Sequence, residues 1–329
     1  MRYFLTGATG FIGGALARQL RAQGHDVTAL VRDAAAAEPL AQLGIALAKG
    51  DITDRSSLQA MAGADGVFHL AAWYKVGVKA GGEARRINVE GTRNVLQTAR
   101  DLGIPKTVYT STLAVFSDTK GQLVNEGYRY NGPHLSEYDR TKWEAQYEVA
   151  EPLQRAGMPL VIVQPGVTYG PGDRSNIHAL FQRYLARKLP MIPAETEFCW
   201  GHVEDTALGH QLAMEKGKPG ENYIIAGHPA TLVEVFELAE KITGVRAPTN
   251  RPAPDMIRAM AKVTGLMGKV MRLPPEFHPE ALRVSAGTTY IGDNSKAKKV
   301  LGLQHRPLEQ GLRETLAWEM EQLGMRPSQ

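Results

Sequence analysis

The chain has 329 residues, of which 43% are hydrophobic and 22% are charged, and its net charge at neutral pH is +4. These values are typical of a soluble enzyme, and the length allows one large α/β unit or a main domain with a smaller lobe. Lysine and arginine are scattered, without a basic stripe interleaved with aromatic residues, which argues against nucleic-acid binding.

Cysteine and histidine usage narrows the class further. The one cysteine excludes a disulfide within the chain and favours a reducing compartment. No apolar run reaches membrane-spanning length, and the first predicted strand leaves no room for a signal peptide. The nine histidines lack the spacing of metal ligands. We therefore expect a cytoplasmic protein without a metal site.

The first half of the chain alternates short apolar runs with helical patterns. Strands are predicted at residues 3–5, 27–31, 45–48, 67–70, 107–110 and 160–163. Helices are predicted at residues 11–22, 34–43, 56–61, 83–102 and 137–156. Strands with almost no polar residues indicate a parallel sheet covered on both faces, and right-handed crossovers make it a doubly wound Rossmann sheet.

The pattern changes after about residue 170, where helices predominate. They are predicted at 176–188, 203–216, 231–243, 254–271 and 308–322, with short strands at 197–200 and 222–225. We expect a dinucleotide-binding domain over residues 1–170 and a smaller, mainly helical substrate lobe over 171–329, with some of its segments returning to the sheet. Core or interlobe packing, or alternatively an adaptable lid, is predicted for Met256, Met260, Met267 and Met271.

A glycine-rich turn joins the first strand to the first helix. Gly7 suits a tight turn, Gly10 allows a pyrophosphate to approach the backbone, and Gly13 allows the helix to pack on the strand. Free N–H groups and the helix dipole would then face the phosphates. The turn predicts a dinucleotide cofactor, with a plain packing turn as the alternative.

The residues after the second strand bear on the choice of cofactor. Arg32 stands where an acidic residue would bind the ribose hydroxyls of NAD, and a guanidinium suits a 2′-phosphate. We therefore favour NADP(H), while the adjacent Asp33 keeps NAD(H) open.

Tyr138 and Lys142 are four residues apart on a predicted helix, so both can reach one point. A neighbouring ammonium and the positive charge of the cofactor are expected to lower the pKa of the phenol and make it a usable acid or base. At the end of the fifth strand, any of Thr110, Ser111 and Thr112 could polarise a substrate oxygen. These parts predict hydride transfer to or from a carbonyl carbon.

Together, these motifs resemble the extended short-chain dehydrogenase/reductase superfamily, in its NAD-dependent epimerase/dehydratase group, over nearly the whole chain. The resemblance implies that Thr112, with Ser111 before it, joins Tyr138 and Lys142 in catalysis. It also implies cofactor contacts from several motifs along the chain. These contacts are Thr6, Gly7, Thr9, Gly10, Phe11, Ile12, Gly13, Arg32, Asp51, Ile52, Leu70, Ala71, Ala72, Asn88, Thr110, Tyr138, Lys142, Pro165, Gly166, Val167 and Thr168.

Two departures weaken a sugar-nucleotide interpretation. Phe198 stands where the family's sugar-nucleotide epimerases commonly have an arginine, and Gln164 replaces the usual arginine before Pro165. Residues 31–33 resemble the dihydroflavonol-reductase and hydroxysteroid-dehydrogenase branch. An apolar substrate pocket is predicted to be lined by Trp73, Tyr74, Phe116, Phe198 and Trp200, with core packing as the alternative.

The expected function is an NADP(H)-dependent oxidoreductase that interconverts a carbonyl and an alcohol on a small hydrophobic substrate. The alternatives are an NAD-dependent nucleotide-sugar epimerase or dehydratase, and a dinucleotide-sensing protein without chemistry. The resemblance further implies a homodimer formed through the two long helices at 83–102 and 137–156.

Overall fold

A computed structural model describes residues 1–74, 82–267 and 279–325, with side chains of the helix that ends at Met267 described as far as Thr264. Eleven strands lie within these ranges. They are β1 (Arg2–Thr6), β2 (Asp26–Val31), β3 (Ala46–Lys49), β4 (Gly66–His69), β5 (Thr107–Thr110), β6 (Leu160–Gln164), β7 (Val167–Tyr169), β8 (Glu197–His202), β9 (Asn222–Ile224), β10 (His228–Thr231) and β11 (Thr289–Tyr290).

The helices pack around these strands. They are α1 (Phe11–Ala22), α2 (Glu38–Gln42), α3 (83–101), α4 (137–155), α5 (Asn176–Leu185), α6 (Val203–Lys216), α7 (Leu232–Thr243), α8 (Pro254–Met267), α9 (Pro279–Val284), α10 (Ser295–Leu301) and α11 (Leu308–Gln322). Each of α3 and α4 contains a π-helical stretch, Arg86–Gly91 and Ala145–Ala150. Two 3₁₀ turns, Arg55–Met61 and Leu113–Phe116, complete the list.

The central sheet has seven parallel strands in the order β3-β2-β1-β4-β5-β6-β9. Strands β4 and β6 are buried along their whole length, because helices cover both faces of the sheet. One core packs α1 and α6 on one face, and a second packs α3 and α4 on the other. This architecture confirms the predicted doubly wound Rossmann fold. The switch point lies between β1 and β4, whose crossovers leave in opposite directions.

A second, four-stranded sheet lies beyond the first. Strand β8 pairs with β7, β10 and β11, and the adjoining core includes Phe181, Tyr184, Trp200, Phe236 and Leu316. The C-terminal half also supplies β9 and α6 to the central sheet, and α6 packs on α1. The division of the chain at residue 170 stays a prediction.

Some predicted elements differ from the structure. The helix predicted at 34–43 begins only at Glu38, because Asp33 Oδ1 accepts the Ala35 N–H at 2.9 Å and holds residues 33–36 in a turn. Met256 is 60% exposed, whereas Met260 packs on a small cluster that includes Ile257. The Met267 side chain and Met271 lie outside the described residues. Among the helices that the structure describes, none is both long and apolar enough to span a membrane.

Candidate active site

The turn between β1 and α1 can only be built with glycine at two positions. Gly7 has a φ of +80°, and a Cβ there would lie 2.6 Å from the Ala71 nitrogen. A Cβ on Gly13 would lie 2.1 Å from the Gly7 carbonyl oxygen. The close approach of α1 to β1 and of the turn to the residues after β4 therefore depends on both glycines.

The N-terminus of α1 opens onto a cavity. Gly10 is the N-cap residue and supplies no side chain to the free N–H groups of the first turn. Gly7, Gly10, Phe11, Ile12 and Gly13 all line the cavity. An uncapped helix end whose approach is clear of side chains has the donors and the space that a pyrophosphate needs, so these residues fit a dinucleotide.

The cavity has a volume of about 470 Å³ and runs from this turn past the ends of β4, β5 and β6 toward the second sheet. Its middle section contains the predicted catalytic side chains. The lining residues there are Leu70, Ala72, Tyr74, Thr110, Ser111, Thr112, Leu113, Ala114, Tyr138, Lys142, Pro165, Gly166, Val167 and Thr168. Parallel strands end at one edge of a sheet, which is why motifs from four strands meet here.

The three hydroxyl groups after β5 have different partners. Thr110 donates to Nε2 of His210 at 2.9 Å, because Nδ1 of His210 must donate to the Thr206 carbonyl at 2.8 Å. Ser111 donates to Oε1 of the buried Gln146 at 2.5 Å. The Ser111 hydroxyl proton is therefore used in the core, while Ser111 also lines the cavity, and its expected catalytic role stays a prediction.

Thr112 differs from its two neighbours. Its hydroxyl oxygen accepts the Ala114 N–H at 3.2 Å, which caps the 3₁₀ turn Leu113–Phe116 and leaves the hydroxyl proton available. Hydrogen bonding with Thr112 also acts on the Tyr138 phenol. Of the three hydroxyl side chains, Thr112 is thus the one placed beside the tyrosine.

Tyr138 and Lys142 lie on the same face of α4, which Ser136 caps by accepting the Asp139 N–H. Nζ of Lys142 donates to the Tyr109 hydroxyl at 3.0 Å and to the Thr110 carbonyl at 2.8 Å. Burial lowers the pKa of Lys142 to about 7. The amine is therefore near its midpoint of protonation at neutral pH.

Lys142 is not among the groups that act on the pKa of Tyr138 in this structure, and the lowering of that pKa by Lys142 and the cofactor together stays a prediction. Burial raises the pKa of Tyr138 above its ordinary value, and the hydrogen bond with Thr112 opposes only part of this effect. Lys142 acts instead on Tyr109 and on the backbone of β5. Tyr138 also contacts the Tyr74 ring edge-on, with ring centres 4.9 Å apart. The phenol therefore holds its proton across the neutral range.

A buried histidine packs against Tyr109, the residue to which Lys142 donates. His69 lies between the Thr6 hydroxyl at 2.8 Å and the Thr92 hydroxyl at 3.0 Å, and its ring stacks on Tyr109. Burial lowers the pKa of His69 to about 3, so the ring is neutral. This structural role of Thr6 and His69 was not foreseen from the sequence, where Thr6 is predicted only as a cofactor contact.

Asn88, a predicted cofactor contact, is buried and braces the protein internally, and its contact with a cofactor stays a prediction. Its side chain is 1% exposed, accepts the Trp73 N–H at 2.7 Å, and donates to the Trp73 carbonyl and the Thr141 hydroxyl. With these bonds made, the amide fixes the segment after β4 to α4. Ala71 lies in the same segment and donates its N–H to Thr6 at 3.3 Å.

The residues predicted to hold the adenosine end lie outside the cavity lining but at the same sheet edge. Arg32 and Thr9 are exposed, and Arg32 makes no hydrogen bond or ion pair within the described chain. Asp51 accepts the N–H and the hydroxyl of Thr53, both at 2.8 Å. Ile52 is buried, and a Cβ on Gly91 would lie 2.6 Å from its Cδ1.

The far end of the cavity has an apolar wall, beside the polar residues Asp173, Arg174 and Ser175. Phe198 stacks on Tyr290 with ring centres 5.9 Å apart, and both line the cavity together with Ile177 and Val284. On the near side, a Cβ on Gly166 would lie 2.3 Å from the Cys199 carbonyl oxygen, so β8 closes directly onto the loop after β6.

Three aromatic residues expected in the substrate pocket are corrected to core positions. Phe116 is fully buried in a cluster with Leu113, and Trp200 is 1% exposed and donates to the Ala230 carbonyl. Trp73 is 5% exposed and does not line the cavity. Large apolar rings are buried wherever tertiary packing covers them, and the sequence does not show which cover forms.

Further lining residues were missed in the sequence. They are Leu113, Ala114, Asp139, Asp173, Arg174, Ser175, Ile177, Val284 and Tyr290. Asp139 could have been found because it directly follows Tyr138 at the start of a helix. Tyr290 and Val284 carried no signal, since they come from short elements more than 100 residues away along the chain.

Comparison with known proteins gives matches over most of the chain. Residues 3–226 match the family model described as the NAD dependent epimerase/dehydratase family. The "Putative dihydroflavonol 4-reductase" of Synechocystis sp. is 33% identical over 324 residues, which cover 96% of this chain and 94% of that protein. The 4-hydroxy-2-methyl-3-oxo-4-farnesyl-3,4-dihydroquinoline-1-oxide ketoreductase of Stigmatella aurantiaca is 30% identical over 94% of each chain.

Solved structures are similar over the same extent. The crystal structure of gox2253 has a TM-score of 0.84 at 31% identity and covers 98% of this chain and 99% of its own. The UDP-glucuronic acid 4-epimerase of Bacillus cereus in complex with UDP-glucuronic acid and NAD has a TM-score of 0.76 at 22% identity, covering 98% and 100%. At that identity the second likeness shows the fold alone.

Proposed function

We propose that this chain, which belongs to the NAD dependent epimerase/dehydratase family, reduces a small apolar ketone or aldehyde with NADPH. Family membership confirms the resemblance seen in the sequence and makes the protein an NAD(P)-dependent oxidoreductase of the dihydroflavonol-reductase-like branch. What we propose are the substrate class, the choice of cofactor and the roles of the site residues.

One observation carries it: a single cavity joins the glycine turn, the Thr112–Tyr138 pair and an apolar wall that includes Phe198. A cofactor held at the turn and an apolar substrate held at the wall would meet at the two hydroxyl groups. Such a concave, mostly apolar site with a few polar groups is typical of small-molecule binding.

Arg32 supports the choice of NADPH. The carboxylate of Asp33, which would favour NAD, accepts the N–H groups of Ala35 and Ala36 at 2.9 and 3.4 Å and is held in that turn. Arg32 is exposed at the end of β2. Its guanidinium is the group that would bind a 2′-phosphate on the adenosine ribose.

The protein's part in the chemistry is to hold the substrate oxygen and supply a proton. When bound, a reduced nicotinamide supplies a hydride to the carbonyl carbon. Thr112 would donate to the carbonyl oxygen and orient it, and Tyr138 would transfer its phenol proton to that oxygen as the alcohol forms. Tyr138 then regains a proton from solvent. A phenol whose pKa is raised is protonated before the reaction, as this direction requires.

Lys142 has one N–H donor left for the cofactor. Two of its three N–H donors go to Tyr109 and to the Thr110 carbonyl, which fixes the end of β5 next to Thr112. The third would bind a hydroxyl of the nicotinamide ribose. The buried amine of Lys142, on α4, would thus contact both the end of β5 and the cofactor.

The alternative, a nucleotide-sugar epimerase, is supported less well. Phe198, in the place of the diphosphate-clamping arginine, lines the cavity and stacks on Tyr290. Gln164 is fully buried and donates to Gln146 at 3.2 Å, so it faces the core. Neither residue supplies a cation for a diphosphate.

Cofactor consumption separates the two functions. The protein would be incubated with NADPH or NADH and a panel of apolar ketones and aldehydes, a dihydroflavonol among them, and separately with UDP-sugars. We expect one NADPH oxidised per alcohol formed. An epimerase would convert UDP-sugars without net oxidation, and that result would overturn the proposal.

We also propose that the protein is a homodimer formed through α3 and α4. Sedimentation equilibrium should give twice the mass of the chain, and a monomer at micromolar concentration would contradict this.

A further inference from the structure

Asp139 is a buried carboxyl group at the reaction centre that the chemistry above does not use. It directly follows Tyr138, lines the same cavity and is 3% exposed. Oδ1 accepts the Ser136 hydroxyl at 2.6 Å, and Oδ2 accepts the Tyr290 hydroxyl at 2.9 Å. A carboxyl group buried this deeply usually has a cationic partner, because burial of an unpaired charge is costly.

Both of these partners are neutral hydroxyl groups, and the charged groups nearby are engaged elsewhere. On its own helix, Arg140 pairs with Glu137 and Glu144. Lys142 points to β5. From α9, the buried Glu280 accepts the Glu137 N–H at 2.7 Å and repels a charge on Asp139.

Arg174 and Asp173 line the same cavity, and none of the described groups that act on the pKa of Asp139 carries a positive charge. Tyr290 lies on β11, and Asp118 and Tyr130 contribute to raising the pKa of its hydroxyl group. Tyr74 lies in the segment after β4. Burial, with a contribution from Glu280, raises the pKa of Asp139 to about 6. Asp139 therefore gains or loses its charge within the range in which enzymes of this kind are assayed.

The charge on Asp139 acts on the proton of its neighbour. Asp139 is among the groups that raise the pKa of Tyr138. The coupling follows from position, because adjacent side chains at a helix start share one low-dielectric cavity wall. Tyr290 joins this pair to the substrate wall by stacking on Phe198.

We propose that Asp139 is a positioning residue that acts through Tyr138. The charge of Asp139, which is hydrogen-bonded to Tyr290, sets how readily Tyr138 gives up its phenol proton to the substrate. With Asp139 ionised, the phenol holds its proton more tightly. With Asp139 protonated, the negative charge is gone and Tyr138 is a stronger acid. This inference rests on the proposed reductase function, in which proton donation by Tyr138 is a step.

The first test is the pH dependence of single-turnover reduction by the full-length protein with NADPH. In the wild type, the rate should rise as the pH falls through the titration of Asp139. Asp139→Asn should remove this rise. Above pH 7 it should be roughly threefold faster than the wild type, if a roughly tenfold change in the acidity of Tyr138 is half expressed in the rate. The asparagine amide can still accept from Tyr290 and donate to the Ser136 oxygen.

Tyr290→Phe is the matched variant, since it keeps the ring on Phe198 but removes the hydroxyl. The hydrogen bond from Tyr290 lowers the pKa of Asp139. Its loss should therefore move the rise in rate to higher pH rather than abolish it. A residue with a merely structural role would slow both variants without moving the profile. Titration of Lys142 near pH 7 is present in all three proteins and does not distinguish them.

A second measurement does not require turnover. With ¹³C-labelled tyrosine, the ring resonance of Tyr138 should shift as Asp139 titrates in the wild type, shift at higher pH in Tyr290→Phe, and show no such shift in Asp139→Asn. An Asp139→Asn profile that keeps the wild-type rise, or a Tyr138 resonance that ignores Asp139, would overturn the inference. Absence of NADPH turnover in the wild type would instead count against the proposed function, and the resonance would still decide the inference.

Discussion

Substituting alanine at two adjacent glycines, Gly13 and Gly14, tests whether the close contact between α1 and the β1 turn builds the cofactor site. A Cβ on Gly13 would lie 2.1 Å from the Gly7 oxygen and 2.7 Å from the Gly7 carbonyl carbon. A Cβ on Gly14 would lie 3.5 Å from the Ala8 oxygen and 3.7 Å from Nη1 of Arg18, which are ordinary contacts. The two substitutions add the same methyl group to the same helix.

The expected effects have opposite signs. In Gly13→Ala, backbone must move by about 1 Å to reach a tolerable contact, and overpacking of this kind costs about 3 kcal/mol. For a protein of this size that lowers the melting temperature by roughly 6 °C. In Gly14→Ala, the better helix propensity of alanine stabilises by about 0.5–1 kcal/mol, so the melting temperature should rise by roughly 1–2 °C.

Cofactor affinity should separate the variants in the same way. Movement of the Gly7 carbonyl disturbs the turn that faces the cavity, so Gly13→Ala should bind NADPH at least tenfold more weakly, a loss of about 1.4 kcal/mol. Gly14→Ala should bind within about twofold of the wild type. Thermal unfolding and a fluorescence titration with NADPH measure both. Equal stability and affinity in the two variants would refute the reasoning.

Substitutions at three further residues test the reaction site and the cofactor site. Tyr138→Phe should slow single-turnover reduction by roughly 10²- to 10³-fold with nearly unchanged NADPH affinity, because it removes a proton donor; a large loss of affinity would make Tyr138 structural. Arg32→Asp should lower kcat/KM for NADPH roughly tenfold or more and favour NADH, since an exposed charge-assisted contact is lost; an unchanged ratio would remove Arg32 from the phosphate. Phe198→Ala should raise KM for an apolar ketone roughly tenfold, with Phe198→Leu in between; an effect on NADPH alone would contradict its place in the substrate pocket.

Much of the fold could be predicted because its signals are local. Helices α1, α6 and α11 have the bounds that their periodicity predicts, and caps such as Ser136 on α4 fix helix starts within a few residues. Central strands are apolar throughout because both faces of the sheet are covered. Strands β7, β10 and β11 escaped prediction, since segments of two to four residues become strands only by pairing with β8.

The candidate site also has a part that local sequence signals predict and a part that only packing between distant segments decides. The sequence by itself determined the glycine turn, the spacing of Tyr138 and Lys142, and the meeting of strand-end motifs at one sheet edge, since these follow from local geometry and parallel topology. Tertiary structure decided which hydroxyl lies beside Tyr138, where Lys142 donates, and that burial raises the pKa of the phenol.

The same holds for the aromatic and acidic groups around the substrate. Phe198 and Trp200 share one face of β8, yet Phe198 lines the cavity and Trp200 is buried in the lobe core. Tyr290 reaches Asp139 across 151 positions of sequence. Periodicity shows which face a side chain takes, but what covers that face depends on segments distant along the chain. Burial and charge at the reaction centre are therefore properties of the packed molecule.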